Sequence, residues 1–139
     1  MNGREQHILC VDDHADTVDM LAKLLRACGH RVTTASSLSA ALSIVAAEEF
    51  DALVADIGLS DGTGLDLARV LRRERPQMTC IAISGYGMPL DVERGRDAGF
   101  DHYLVKPIIL DQILAALGSP LPAALHAPES PAPDRRASA

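Results

Sequence analysis

Along the first 117 residues, short strand-like runs alternate with stretches of helical period, and four of the five runs end on a polar or charged residue. Ile8-Leu9-Cys10-Val11 ends on Asp12 and Asp13, and Ala52-Leu53-Val54-Ala55 ends on Asp56. Cys80-Ile81-Ala82-Ile83 ends on Ser84, and Tyr103-Leu104-Val105 ends on Lys106. Only Arg31-Val32-Thr33-Thr34-Ala35 contributes nothing polar of note at its end. Runs this short and this apolar suit strands covered on both faces. Between them, Val18, Leu21, Leu25 and Cys28 recur three or four apart and stop at Gly29, the signature of an amphipathic helix with a glycine C-cap. The same argument predicts helices over about Ser37–Glu48, Leu65–Glu74 (ending before Pro76), Leu90–Ala98 and a last one carrying Leu110, Ile113, Leu114 and Leu117.

Strands alternating with helices in this order imply a parallel α/β sheet with helices on both faces, joined by right-handed crossovers. In such doubly wound sheets, ligands bind beyond the carboxyl ends of the strands. The strand ends therefore bring Asp12, Asp13, Asp56, Ser84 and Lys106 to one rim. Adjacent carboxylates at the edge of a core repel and raise one another's pKa unless a cation compensates. An all-oxygen set of three carboxylates suits Mg²⁺, which keeps several waters and shares its remaining positions with phosphate oxygens. A lysine and a serine in the same place can pair with phosphoryl oxygens. The constellation is suited to carrying a phosphoryl group on one of its aspartates.

Composition narrows the setting. With 139 residues and 47% apolar content, the chain is long enough for one sizeable core. Its net charge of −6 and lack of a basic cluster argue against direct nucleic-acid binding. No apolar run is long enough to span a bilayer, and no signal-peptide pattern follows Met1. Cys10, Cys28 and Cys80 sit among apolar residues and read as small buried side chains in a reducing cytoplasm. Residues 118–139 hold five of the eight prolines with no regular period, and read as a disordered tail after an ordered unit at 1–117.

These residues resemble the receiver domain of two-component response regulators, over about residues 6–117. The Asp12-Asp13 pair, Asp56, Ser84 and Lys106-Pro107 fall in that family's order and approximate spacing. The resemblance implies a flavodoxin-like (βα)5 fold with strand order 2-1-3-4-5. It also implies that Asp56 is the phosphoacceptor, taking its group from a histidine kinase or histidine phosphotransfer protein. Asp12, Asp13, Asp56 and the backbone carbonyl of Gly58 would hold Mg²⁺, and Ser84 and Lys106 would contact the phosphoryl oxygens. Tyr103 matches the aromatic residue that switches inward with Ser84. Output would pass to a downstream protein partner through the surface of the fourth helix, fifth strand and last helix, with no attached output domain. The protein would be no enzyme beyond promoting its own phosphorylation and dephosphorylation.

Departures from the family pattern raise further expectations. Ser60 stands where proline is usual, which predicts a looser loop after Asp56. Gly58 offers no side chain to shield the phosphoryl group, which predicts a short-lived phosphoaspartate. Ile109 replaces a polar helix cap, so Ile108-Ile109-Leu110 is an apolar entry to the last helix and a candidate contact for a partner or a weak homodimer. His14 reads as a solvated first-turn histidine rather than a ligand. Two alternatives stand beside the main reading. One is the receiver of a hybrid histidine kinase, acting in a relay or as a phosphate sink. The other is a small Mg²⁺-dependent phosphohydrolase, disfavoured because Gly58 cannot serve as general acid or base.

Overall fold

The structure, a computed structural model, describes residues 5–84, 96–107 and 109–118. Its strands are β1 (His7–Val11), β2 (Arg31–Ala35), β3 (Ala52–Asp56), β4 (Gly58–Leu59), β5 (Gly62–Thr63), β6 (Thr79–Ser84) and β7 (His102–Val105). Five of them form one parallel sheet in the order β2-β1-β3-β6-β7, while β4 and β5 make a small antiparallel ribbon of their own. Counting the large sheet alone, this is the expected 2-1-3-4-5 order, with helices α1 (Ala15–Ala27), α2 (Leu38–Ala47), α3 (Gly64–Glu74) and a C-terminal helix (Leu110–Leu117) packed on it.

The alternation of side chains along a strand divides the core in two. Leu9 and Val11 of β1 join Leu53, Leu67, Leu71, Cys80 and Phe100 on the face covered by α2 and α3. Ile8 and Cys10 join Val18, Leu21, Leu25, Val54, Ile81, Ile113 and Leu114 on the face covered by α1 and the C-terminal helix. All five residues of β3 are buried, because the central strand has a helical layer on each side. Burial pushes the Cys10 thiol up to about 12 and the Cys80 thiol up to about 11, so both are inert packing groups. Cys28 departs from the buried reading: it is the half-buried C-cap of α1.

Local expectations hold at most boundaries. Ser37 caps α2 by accepting from the Ala40 amide, α3 ends at Glu74 with Arg75 as its C-cap before Pro76, and Gly118 closes the C-terminal helix at φ 72°. Ile109 is the N-cap of that helix and makes no side-chain cap bond. Most of the expected Leu90–Ala98 helix lies outside the described residues, and 96–98 are helical. The tail at 119–139 also lies outside them. Among the described residues, no helix is long and apolar enough to cross a membrane.

The loop after Asp56 is not built as expected. In place of a loose segment, residues 58–63 form the β4–β5 ribbon, with Gly58 opposite Thr63 and Leu59 opposite Gly62. Leu59 is buried at 9% exposure against the α2–α3 side of the core. Backbone pairing and an apolar anchor supply the order that a fixed proline φ would otherwise bring.

Candidate functional site

The neighbouring strands β1 and β3 both end on acid, and β7, one strand further across β6, ends on base. Lys106 follows β7 directly, its amide donates to the Ser84 carbonyl at 2.9 Å, and the Lys106–Pro107 peptide is cis. From there the Lys106 Nζ lies 3.0 Å from Asp56 Oδ2 and 3.2 Å from Asp12 Oδ2. Asp12 and Asp56 are each only 5% exposed. Burial lowers the affinity of the Lys106 ammonium for its proton, but the hydrogen bonds it donates to Asp56 and Asp12 outweigh that, and its pKa is raised on balance. The ammonium therefore stays charged and compensates two buried carboxylates at once.

The other oxygens of these carboxylates are held by backbone. Asp56 Oδ1 accepts from the Gly58 amide at 3.0 Å. Asp12 Oδ1 accepts from the His14 amide at 2.9 Å and lies 3.0 Å from His14 Nδ1. His14 is thus less solitary than a solvated first-turn residue: its side chain is 67% exposed, yet its ring nitrogen also lies 3.3 Å from Asp13 Oδ1. Asp12, Asp13, His14 and Asp56 each present one ligand atom, and these four atoms lie within 4.8 Å of one another.

Two buried polar atoms here accept and donate no hydrogen bond: Asp13 Oδ1 and Ser84 Oγ. Ser84 is 1% exposed and follows Ile83, the register partner of Asp56. Buried polar groups are nearly always partnered, so orphans beside clustered carboxylates mark a place where partners arrive from outside. A donor set of anionic oxygens fits a divalent cation, and Asp13 Oδ1, which makes no hydrogen bond and has the His14 ring nitrogen 3.3 Å away, is a suitable ligand for one. The structure thus brings Asp12, Asp13, Asp56 and Lys106 together as the strand ends predicted, with Ser84 on the adjacent strand end and the Gly58 amide on Asp56. Tyr103 lies on β7, three residues before Lys106. It is half-buried against the α2–α3 side of the core, its ring 6.2 Å from Phe100 in an edge-on arrangement.

Gly64 also shapes the site, and sequence reasoning passed over it. It begins α3, and a Cβ there would come within 2.6 Å of the Asp56 carbonyl oxygen. Any larger residue would push the helix start away from the backbone that carries Asp56. The available signal was a glycine directly after Thr63, whose hydroxyl accepts from the Asp66 amide as the N-cap of α3.

Comparison with known proteins agrees with this geometry. Residues 8–118 match the family model described as the response regulator receiver domain. The photosynthetic apparatus regulatory protein RegA of Rhodovulum sulfidophilum is 32% identical over 129 residues, covering 93% of this chain and 70% of that protein. The probable transcriptional regulatory protein TcrX of Mycobacterium tuberculosis is 30% identical over 116 residues, covering 84% of this chain but only 50% of that protein. Among solved structures, a CheY-like receiver domain protein from Methanospirillum hungatei superimposes with a TM-score of 0.74 at 29% identity, covering 83% of this chain and 95% of that one. A response regulator from Burkholderia pseudomallei, solved with a phosphorylated aspartic acid, a calcium ion and citrate, superimposes with a TM-score of 0.75 at 30% identity, covering 81% and 66%.

Proposed function

Because the chain belongs to the response regulator receiver domain family, we propose that it accepts a phosphoryl group on Asp56 from a phosphohistidine of a histidine kinase or phosphotransfer protein. The observation that carries this reading is the position of Lys106 Nζ, shared between Asp56 at 3.0 Å and Asp12 at 3.2 Å. In the transfer, an Asp56 carboxylate oxygen forms a bond to phosphorus as the bond from phosphorus to the donor imidazole nitrogen breaks, and that nitrogen takes up a proton. The product is an acyl phosphate. Lys106 neutralises charge on the phosphoryl oxygens, and the orphaned Ser84 hydroxyl donates to one of them.

Asp12, Asp13, Asp56 and the Gly58 carbonyl are the groups that would hold Mg²⁺, with His14 within reach of the same cluster. A bound Mg²⁺ would supply charge neutralisation at the phosphoryl oxygens. The Burkholderia structure, with a phosphorylated aspartic acid and a calcium ion, supports assigning both to this rim. Tyr103, half-buried on β7, is the proposed switch residue, moving as Ser84 takes a phosphoryl oxygen. The proposed output surface includes Val105 and Ile109, exposed at 51% and 49% beside the C-terminal helix, where a downstream protein or a second copy would bind. We place the receiver at 1–117 with a tail at 118–139, and the protein in the cytoplasm. It would promote its own phosphorylation and dephosphorylation and no external reaction.

Incubation with acetyl phosphate and Mg²⁺, followed by intact mass, tests the reading. The wild type gains one phosphoryl group and Asp56→Asn gains none. An unmodified wild type, or equal modification of Asp56→Asn, rejects it.

A further inference from the structure

Asp61 sits at the tip of the β4–β5 ribbon and is exposed. Its carboxylate crosses to another element: Oδ1 accepts from the Leu38 amide at 2.8 Å and Oδ2 from the Ser39 amide at 3.0 Å. These are the first two free N–H groups of α2. The third, Ala40, donates to Ser37 Oγ at 3.0 Å, and the Ala41 amide makes the first intrahelical bond, to the Ser37 carbonyl. The start of α2 is therefore completed by two residues, one local and one 23 positions along the chain. The two amides of Ser39 and Leu38 hold the Asp61 carboxyl below its ordinary range, so it is charged wherever the protein is folded near neutral pH.

The same ribbon leads back to the site. Leu59 pairs with Gly62 and Gly58 with Thr63, and the Gly58 amide donates to Asp56 Oδ1. Gly62 lies so close to the Leu38 side chain that a Cβ there would collide with it. The ribbon is thus fixed at its tip by Asp61, along its side by Leu38, and at its base by Asp56. We infer that Asp61 is a positioning residue for the phosphoryl-transfer site: by bonding the start of α2, it holds the ribbon so that the Gly58 N–H stays on Asp56.

This rests on the phosphoacceptor reading of Asp56, and it accounts for how a loop with Ser60 in place of proline stays ordered. Removing the carboxylate frees the tip, lets the Gly58 amide leave Asp56 and opens the acyl phosphate to water. Water then attacks phosphorus, the bond to the Asp56 oxygen breaks, and inorganic phosphate leaves.

The test compares Asp61→Ala, Asp61→Asn and Ser37→Ala. Ser37→Ala removes the local cap of α2 without touching the ribbon, so it reports what loss of helix capping alone does. After phosphorylation with acetyl phosphate and Mg²⁺ and removal of the donor, Asp61→Ala shortens the acyl-phosphate half-life by about tenfold. Asp61→Asn, which keeps one accepting oxygen but turns an NH2 donor toward the second amide, gives a half-life between those of Asp61→Ala and the wild type, and Ser37→Ala leaves it unchanged. Amide exchange across 57–63, measured without any donor, becomes faster in Asp61→Ala and not in Ser37→Ala. An unchanged half-life in Asp61→Ala, or the same shortening in Ser37→Ala, overturns the inference. If the wild type takes no phosphoryl group, the function proposed for Asp56 fails, and the exchange pattern alone then decides whether Asp61 fixes the ribbon.

Discussion

The two ends of the parallel sheet treat their charges in opposite ways. At the end where the strands begin, Arg72, Arg75, Asp51 and Asp101 each have tailored partners. Arg72, from the last turn of α3, donates to the Pro76 and Met78 carbonyls at 2.6 and 2.9 Å, to the Gly99 carbonyl at 2.6 Å, and to Asp101 Oδ2 at 2.7 Å. Asp101 Oδ2 also accepts from the Cys80 amide at 2.8 Å, which fixes the start of β6. Arg75 donates to the Glu48 and Val45 carbonyls, and Asp51 Oδ2 accepts from the His7 amide at 2.8 Å. At the end where the strands finish, Asp12 and Asp56 share one ammonium with Asp13 clustered beside them, and the buried Asp13 Oδ1 and Ser84 Oγ have no hydrogen-bond partner. The first end is satisfied and serves stability. The second is left incomplete, and incompleteness at fixed positions is what a binding site requires.

Substitutions at the two ends should therefore separate stability from function. The largest effect is expected from Asp56→Asn, which loses phosphoryl uptake altogether and keeps the fold, as intact mass and circular dichroism would record. A result in which the mutant unfolds would move Asp56 to the structural side of the comparison. Next is Arg72→Ala at the satisfied end. Removing one guanidinium strands several carbonyls and Asp101, for a loss of about 2–4 kcal/mol by urea denaturation. Phosphoryl uptake per folded molecule should stay as in wild type, and a selective loss of uptake would erase the distinction drawn between the two ends.

Asp13→Asn probes the crowded end from the opposite side. Removing one like charge raises stability by about 1 kcal/mol. It also weakens Mg²⁺ binding by at least about tenfold, since affinity follows the charge of the ligand set. Calorimetric titration and thermal melts on one sample check both halves, and a destabilised mutant would mean that Asp13 is part of the structural network.

The smallest effect is one of pH at the satisfied end. His30 is buried and accepts a hydrogen bond from the Gln6 amide at its Nδ1, so that nitrogen is unprotonated. Burial holds its pKa below the ordinary 6.5, with Glu5 opposing in part. The unfolded chain therefore binds this proton more readily than the folded one. The His30 contribution is fully present above about pH 6.5 and declines as pH falls below it. Urea midpoints at pH 7.5 and 5.5 measure the decline, and His30→Asn, neutral at both, should reduce it.

Much of this was legible in the chain alone, for a physical reason. A strand covered on both faces must be apolar, so the residue at which polarity returns marks the strand end, and in a parallel sheet all such ends lie on one rim. That logic alone places Asp12, Asp13, Asp56, Ser84 and Lys106 on one rim. Helix bounds were legible where the local caps Ser37 and Gly118 carry the signal within a turn of the boundary.

Tertiary structure decided what depends on elements meeting across the sequence. The bonds from Asp61 to α2, from Arg72 to Gly99 and Asp101, and the seating of Gly64 on Asp56 form only once α2 and α3 pack on the same face of the sheet. No periodicity encodes them. The pairing of the loop at 58–63 belongs here too: its sequence, rich in glycine and lacking proline, suggests looseness, while its tip is bonded to the start of a helix 20 residues earlier. Local patterns report what a segment must bury. Which polar group it will find there is settled by packing.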